Sequence, residues 1–366
     1  MQQSGSVVSR RPDSLEQQPG QPAAPTQSDT APAFSADPFI PRRLLRNGHL
    51  QTITGNFLPR NDRLPAAVPE LIEVPRPRLS QIPTRVLCHC HWQPAEVRAV
   101  RPTAILLHGL EGSSDSQYIV GNANKLWRAG ANVVRMNMRN CGGTEKLSPT
   151  LYHSGLSGDV AAVMNFFLCR ESLASISLVG YSMGGNLVLK LAGELGREAP
   201  PELRSVVGVS PAIDLGPSAT ALHRPQNRIY ERRFLRALLK RYRRKVRLFP
   251  NVYDPNRAEG IRSLRDFDDR ITALYSGFAS AEDYYYRAAA ARVVSRVAVP
   301  TLITHAKDDP FVTLTPQTAA SIRANPNITF IETEHGGHCA FLASRTAEHD
   351  GYWAEATLLQ FVLRHA

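Results

Sequence analysis

The chain is poor in the features that stabilise secreted or membrane-embedded proteins. Its five cysteines, at positions 88, 90, 141, 169 and 339, are odd in number and scattered. That pattern argues against a disulfide framework and for a reducing compartment such as the cytoplasm. No apolar run is long enough to cross a bilayer, and the first residues lack the apolar stretch of a secretory signal. Residues 1–36 are rich in Gln, Ser, Pro and Ala with almost no apolar periodicity, and read as a disordered tail. Acidic residues are in deficit too: 32 Asp and Glu against 43 Lys and Arg leave a formal charge of +11. No nucleic-acid motif accompanies that charge, so nucleic acid is not an expected partner.

What is present is an alternation of short apolar runs with helical periodicity. The runs at 104–107, 133–137, 176–179, 206–209, 301–304 and 328–332 read as strands. Helical patterns such as Val160, Val163, Met164, Phe167 and Leu168 lie between them. The expected fold class is therefore α/β, a mostly parallel sheet with helices on both faces. Its first part would span 37–215 and its second part 296–366, with 216–295 inserted between them as a helical lid.

The chemistry is concentrated at strand ends. Gly180-Tyr181-Ser182-Met183-Gly184-Gly185 follows one apolar run and precedes a helical pattern closed by Gly196. Small residues two before and two after Ser182 allow a sharp strand-to-helix turn that exposes its hydroxyl, the geometry of a nucleophile elbow. A serine hydroxyl needs a base, and the base needs an orienting acid, in the chain order Ser, acid, His. Asp308 and Asp309 follow the next-to-last strand, and His335 and His338 follow the last. The glycines before His338 allow a bent loop tip, which favours it over His335. The loop His108-Gly109-Leu110-Glu111-Gly112 follows an earlier strand. Its glycines allow the Leu110 N–H to turn inward, so Leu110 and Met183 are the expected oxyanion donors. Asp214 is a second candidate acid, following the strand after the nucleophile helix.

Together with Asn47-Gly48-His49-Leu50-Gln51-Thr52-Ile53, Met138-Arg139-Asn140-Cys141-Gly142-Gly143, Leu151-Tyr152-His153-Ser154-Gly155, Asp283-Tyr284-Tyr285 and His335-Gly336-Gly337-His338, these stretches resemble the YheT-like branch of the α/β-hydrolase superfamily. The resemblance covers residues 40–366. It implies a serine hydrolase of carboxylic esters with a triad of Ser182, Asp309 and His338. Asp309 is preferred to Asp308 because an acid followed by Pro-Phe-Val resembles the superfamily's acid loop. Such chemistry requires neither a metal nor an organic cofactor. The same triad would also serve an acyltransferase or a thioesterase, and the scaffold could bind lipid without catalysis.

Two further stretches invite other readings. Cys88-His89-Cys90-His91 offers metal-ligand types, but in a strand the cysteines and histidines face opposite sides and cannot close a tetrahedral site. Within the insertion, residues 232–247 interleave nine Arg and Lys with Phe234, Leu235, Leu238, Leu239 and Tyr242. This is a basic amphipathic helix: either the solvated face of a packed lid or a peripheral contact with an anionic membrane, which would suit a lipid ester substrate.

Overall fold

Runs of fully buried apolar residues build the centre of the protein, because a parallel strand covered on both faces has no solvent side. In the computed structural model, which describes residues 34–60, 63–76, 82–346 and 349–366, these runs form an eight-stranded sheet. The strands are β1 (Val68–Glu73), β2 (Arg85–His91), β3 (Thr103–Leu107), β4 (Asn132–Met136), β5 (Ile176–Tyr181), β6 (Leu203–Val209), β7 (Thr301–Ala306) and β8 (Ile328–Thr333). Their order across the sheet is β1-β2-β4-β3-β5-β6-β7-β8. β2 is antiparallel to both β1 and β4, and every other pairing is parallel. β3, β4, β5 and β7 are buried along their whole length. The sequence reading has no counterpart for β1, whose outer face is exposed and whose Pro69 suits an edge strand.

Helices of eight or more residues cover the sheet: α1 (Gly48–Phe57), α2 (Gln117–Arg128), α3 (Ser157–Glu171), α4 (Met183–Leu195), α5 (Leu215–Leu222), α6 (Arg228–Leu248), α7 (Ala281–Ala288), α8 (Pro316–Ala324) and α9 (Trp353–Arg364). Between β6 and β7 the chain leaves the sheet for α5, α6, α7 and several shorter turns, one of them a π-helical turn at Asp268–Ala273. Among the described residues no helix is long and apolar enough to cross a membrane. The tail reading for 1–36 falls almost wholly outside the described residues.

The Cys-His stretch lies on β2. Cys88 and Cys90 point into the apolar core, and burial raises both thiols above their ordinary range. The two histidines on the other face are engaged elsewhere: His89 Nδ1 meets Ser114 Oγ at 3.3 Å, and His91 Nε2 accepts from Arg135 Nε at 3.1 Å.

Candidate active site

Every chemically distinctive loop leaves the C-terminal end of a parallel strand, the edge at which open α/β sheets bind ligands. At the end of β5, Ser182 adopts φ +53° and ψ −116°, a region that L residues rarely enter. The surrounding packing enforces it. A Cβ on Gly180 would lie 2.2 Å from Gly184 O, and one on Gly184 would lie 2.5 Å from His108 O. The turn closes only when both are glycine. The Ser182 N–H donates to Val209 O at 2.9 Å, and Ser182 O accepts from Asn186 and Ala212 N–H.

The loop after β3 passes directly over this turn, so that a Cβ on Gly109 would lie 3.1 Å from Ser182 Cβ. Its conformation is held from several sides. Burial pushes His108 down to about 4, so its ring is neutral; Nδ1 donates to Gly109 O at 2.7 Å and Nε2 accepts from Met138 N–H at 3.2 Å. Tyr118 OH accepts from Gly109 N–H at 2.9 Å. Glu111 sits at φ +57°, and its N–H donates to Tyr152 OH, which in turn donates to Glu111 Oε1 at 2.6 Å. Between these fixed points, the Leu110 N–H donates to no protein acceptor among the described residues, and neither does the Met183 N–H at the start of α4.

The acid and base loops meet on the other side of Ser182. His338 Nδ1 lies 2.7 Å from Asp309 Oδ2, and the Asp309 side chain is 1% exposed. The other oxygen, Asp309 Oδ1, accepts from the N–H groups of Phe311 and Val312 at 3.1 and 2.9 Å. The adjacent Asp308 does a different job. Its Oδ1 accepts from Gly337 N–H at 2.8 Å, while His335 Nδ1 stands 3.4 Å from its Oδ2. Burial disfavours a charged His338 ring, but the Asp309 carboxylate outweighs it and holds the ring well above the ordinary histidine value, at about 10.

Among the described residues Ser182 Oγ makes no hydrogen bond to His338, whose Nε2 lies 3.5 Å from Cys339 Sγ. Both segments are tied to one point, the end of β6: Val209 O accepts from Ser182 N–H and faces Cys339 Sγ at 3.7 Å. Ser210 Oγ accepts from Cys339 N–H at 3.1 Å. In ligand-free enzymes the serine–histidine contact is often loose and tightens only around a substrate. Asp214 stands apart, its two oxygens taken by Thr315 N–H and Thr318 Oγ1, each at 2.8 Å.

A cavity opens above Ser182 and Met183, walled by Leu110, Leu222, Phe234, Leu238, Phe267 and Phe311. Phe311 also packs on the His338 ring, with centroids 4.4 Å apart. The polar end of the cavity holds Asp268, which burial pushes up to about 6 and which accepts from Thr272 Oγ1 and Tyr285 OH.

The structure also engages residues that the sequence reading did not single out. Thr52 Oγ1, on α1, accepts from His338 N–H at 2.8 Å. Arg241 of α6 reaches Glu111 through two hydrogen bonds of 2.9 and 3.0 Å and also meets Asn140 O. Lys245 is fully buried, donating to Asn140 Oδ1 at 3.0 Å, to Glu145 O at 3.1 Å and to Ser148 O. These contacts amend the expectation of a uniformly solvated basic face. Arg241 and Lys245 lie on the inner side of α6, where only buried acceptors could reveal their role.

A parallel sheet whose strand ends carry a half-buried serine on a tight strand-to-helix turn and an Asp–His pair defines an α/β hydrolase. The chain belongs to that family: residues 102–344 match the family described as the alpha/beta hydrolase fold. Within it the chain falls in the YheT-like branch. It is 32% identical over 339 residues to YheT of Escherichia coli K12, whose name carries a provisional esterase assignment; the match covers 91% of this chain and 95% of that one. It is 30% identical to the mouse phospholipase ABHD3 over 67% of this chain, which spans 59% of the relative's length. A solved Pyrobaculum calidifontis esterase shares the fold at a TM-score of 0.53 and 15% identity, over 87% of this chain and 90% of that one.

Proposed function

We propose that this protein hydrolyses carboxylic esters through an acyl-enzyme on Ser182. The observation that carries the reading is the buried 2.7 Å Asp309–His338 pair, whose histidine loop is tied to the same strand end as a strained, half-buried serine. Ser182 Oγ attacks the ester carbonyl carbon while its proton passes to His338 Nε2. Asp309 stabilises the resulting imidazolium through Nδ1–H. The Leu110 and Met183 N–H groups receive the oxyanion, a contribution of about 3 kcal/mol per donor. As the tetrahedral intermediate collapses, the alcohol leaves with the proton from His338. Water, deprotonated by the same ring, then attacks the acyl carbon and frees Ser182.

The apolar cavity supports an aliphatic acyl group, and the phospholipase among the relatives supports a lipid ester as substrate. The helices within 216–295 that wall this cavity act as its lid in this reading. Five free cysteines support a reducing, cytoplasmic setting. The basic face of α6 supports peripheral contact with anionic lipid.

Turnover of p-nitrophenyl butyrate and labelling by a fluorophosphonate test the assignment. Ser182→Ala should abolish labelling and lower kcat by about 10⁴-fold or more with an unchanged melting temperature. Turnover that survives the substitution would overturn it.

A further inference from the structure

Outside the cavity, one surface combines features that a freely soluble enzyme ordinarily hides. Helix α1 carries Leu50, Ile53 and Phe57 on a single face, at spacings of three and four residues. That face is open to solvent: the three side chains are 50%, 42% and 70% exposed. Ile229, at the start of α6, is 73% exposed, and the neighbouring Tyr230 stacks on His49 of α1. Large apolar side chains clustered this way mark an interaction surface.

The cations beside this patch indicate what it meets. Arg232, Arg236, Lys240, Arg243 and Arg247 recur every three or four residues on the outer side of α6, opposite Arg241 and Lys245, with Arg233 beside them. From residue 232 to residue 247 this stripe runs about 23 Å along the helix. None of the six has a carboxylate partner among the described residues. The stripe and the patch are joined, because the Arg233 guanidinium lies 5.8 Å from the Phe57 ring centroid.

We infer that α1 and the outer face of α6 form one docking surface for an anionic lipid bilayer, with Leu50, Ile53 and Phe57 entering the interface and the α6 cations lying among the headgroups. Apolar side chains flanked by an unpaired cationic stripe are the composition that holds a helix in the interfacial plane. A protein partner would not require so long a run of one sign. The placement also has a consequence for the site. The buried side of α1 is the wall behind the acid and base loops: Thr52 Oγ1 accepts from His338 N–H, and Gly48 packs so closely that a Cβ there would lie 1.9 Å from Asp308 O. Phe234, next in sequence to Arg233, lines the cavity. Docking through this surface brings the cavity to the membrane.

Flotation of the full chain with vesicles of phosphatidylcholine alone, or with 30% phosphatidylglycerol, tests the inference. The wild type should float with the anionic vesicles and not with the neutral ones, and 0.5 M NaCl should release it. Ile53→Ser/Phe57→Ser and Arg232→Ser/Arg236→Ser/Lys240→Ser should each weaken binding by at least about tenfold, since each cation near an anionic surface contributes about 1 kcal/mol. Both variants should retain full turnover of soluble p-nitrophenyl butyrate. Ser182→Ala should float as the wild type does, which separates this inference from the hydrolytic reading. Equal flotation with neutral vesicles would overturn it, as would a wild type that stays at the bottom of the gradient. So would a concentration-dependent dimer in light scattering that Ile53→Ser/Phe57→Ser abolishes.

Discussion

The strand-end loops and the inserted helices both line the candidate site, yet different forces hold them in place. In the loops, backbone geometry decides. Ser182 is forced to φ +53° because the space beside Gly180 and Gly184 admits no side chain. In the helices between β6 and β7, buried polar side chains decide. Arg241 crosses 130 residues of sequence to clasp Glu111, and Lys245 crosses about 100 to reach Asn140, Glu145 and Ser148. Local steric rules therefore position the candidate catalytic groups, while long-range charge pairing positions the walls. The Arg241–Glu111 pair is where the two meet, since Glu111 adjoins the expected oxyanion donor Leu110.

The strongest test of the loop side is the acid. Asp309→Asn should lower kcat by about 10⁴-fold, because the base loses both its orientation and its counter-charge. Asp308→Asn, one residue away, should cost less than tenfold, since an amide oxygen still accepts from Gly337 N–H and the carboxylate meets only His335 besides, at 3.4 Å. The pH profile adds a signed expectation. In the proposed mechanism the base must be neutral, so kcat/KM should fall as pH drops through the His338 pKa, which Asp309 raises above the ordinary 6.5. Removing that carboxylate should move the acid limb of the residual activity to lower pH. A limb that stays in place would mean that another group sets it.

The junction gives the next largest effect. Arg241→Gln leaves the Glu111 carboxylate without its fork of donors, and the Leu110 loop loses one support. We expect kcat to fall by about 10- to 100-fold, less than the full loss of an oxyanion donor, with KM changed by less than threefold. Stability should drop by about 1–3 kcal/mol for the stranded carboxylate. Arg241→Lys should fall between, because an ammonium cannot reproduce the two-point contact. Glu111→Gln combined with Arg241→Gln should recover most of the melting temperature but not kcat. Full recovery of both would make the pair a structural tie alone.

The same division explains what was legible in the sequence. The tight turn at Ser182, the chain order of the candidate serine, acid and base, and six strands of the sheet follow from short-range signals: glycine spacing, apolar runs, and acids and histidines at run ends. Adjacent Asp308 and Asp309 could be ranked only by resemblance, because which of two neighbouring side chains faces a loop 29 residues away depends on three-dimensional packing. Thr52 lay within a quoted motif yet carried no signal of its own, since a threonine that accepts one backbone N–H looks like any other. Arg241 and Lys245 looked like surface charges because helical periodicity reports which face is apolar. It does not report when a cation on the inner face has found buried acceptors.

Lys245 offers the smallest and most specific test of the helix side. Burial pushes its ammonium down to about 7, against an ordinary value of 10.5. Below pH 7 the group is charged in both folded and unfolded chains, and the folded state bears the whole cost of burying it. Between pH 7 and 10.5 the unfolded chain holds the proton more tightly than the folded one, so this group's contribution to stability rises with pH. Lys245→Met removes that dependence and leaves three acceptors without their donor, at a cost of about 1–3 kcal/mol. The gap in denaturation midpoint between parent and variant should therefore widen from pH 7 to pH 9, while kcat stays within threefold because Lys245 touches neither the cavity nor the oxyanion loop. A gap that narrows over that range would mean that the ammonium is better solvated in the fold than in water. Wall and reaction centre would then be held by the same kind of force.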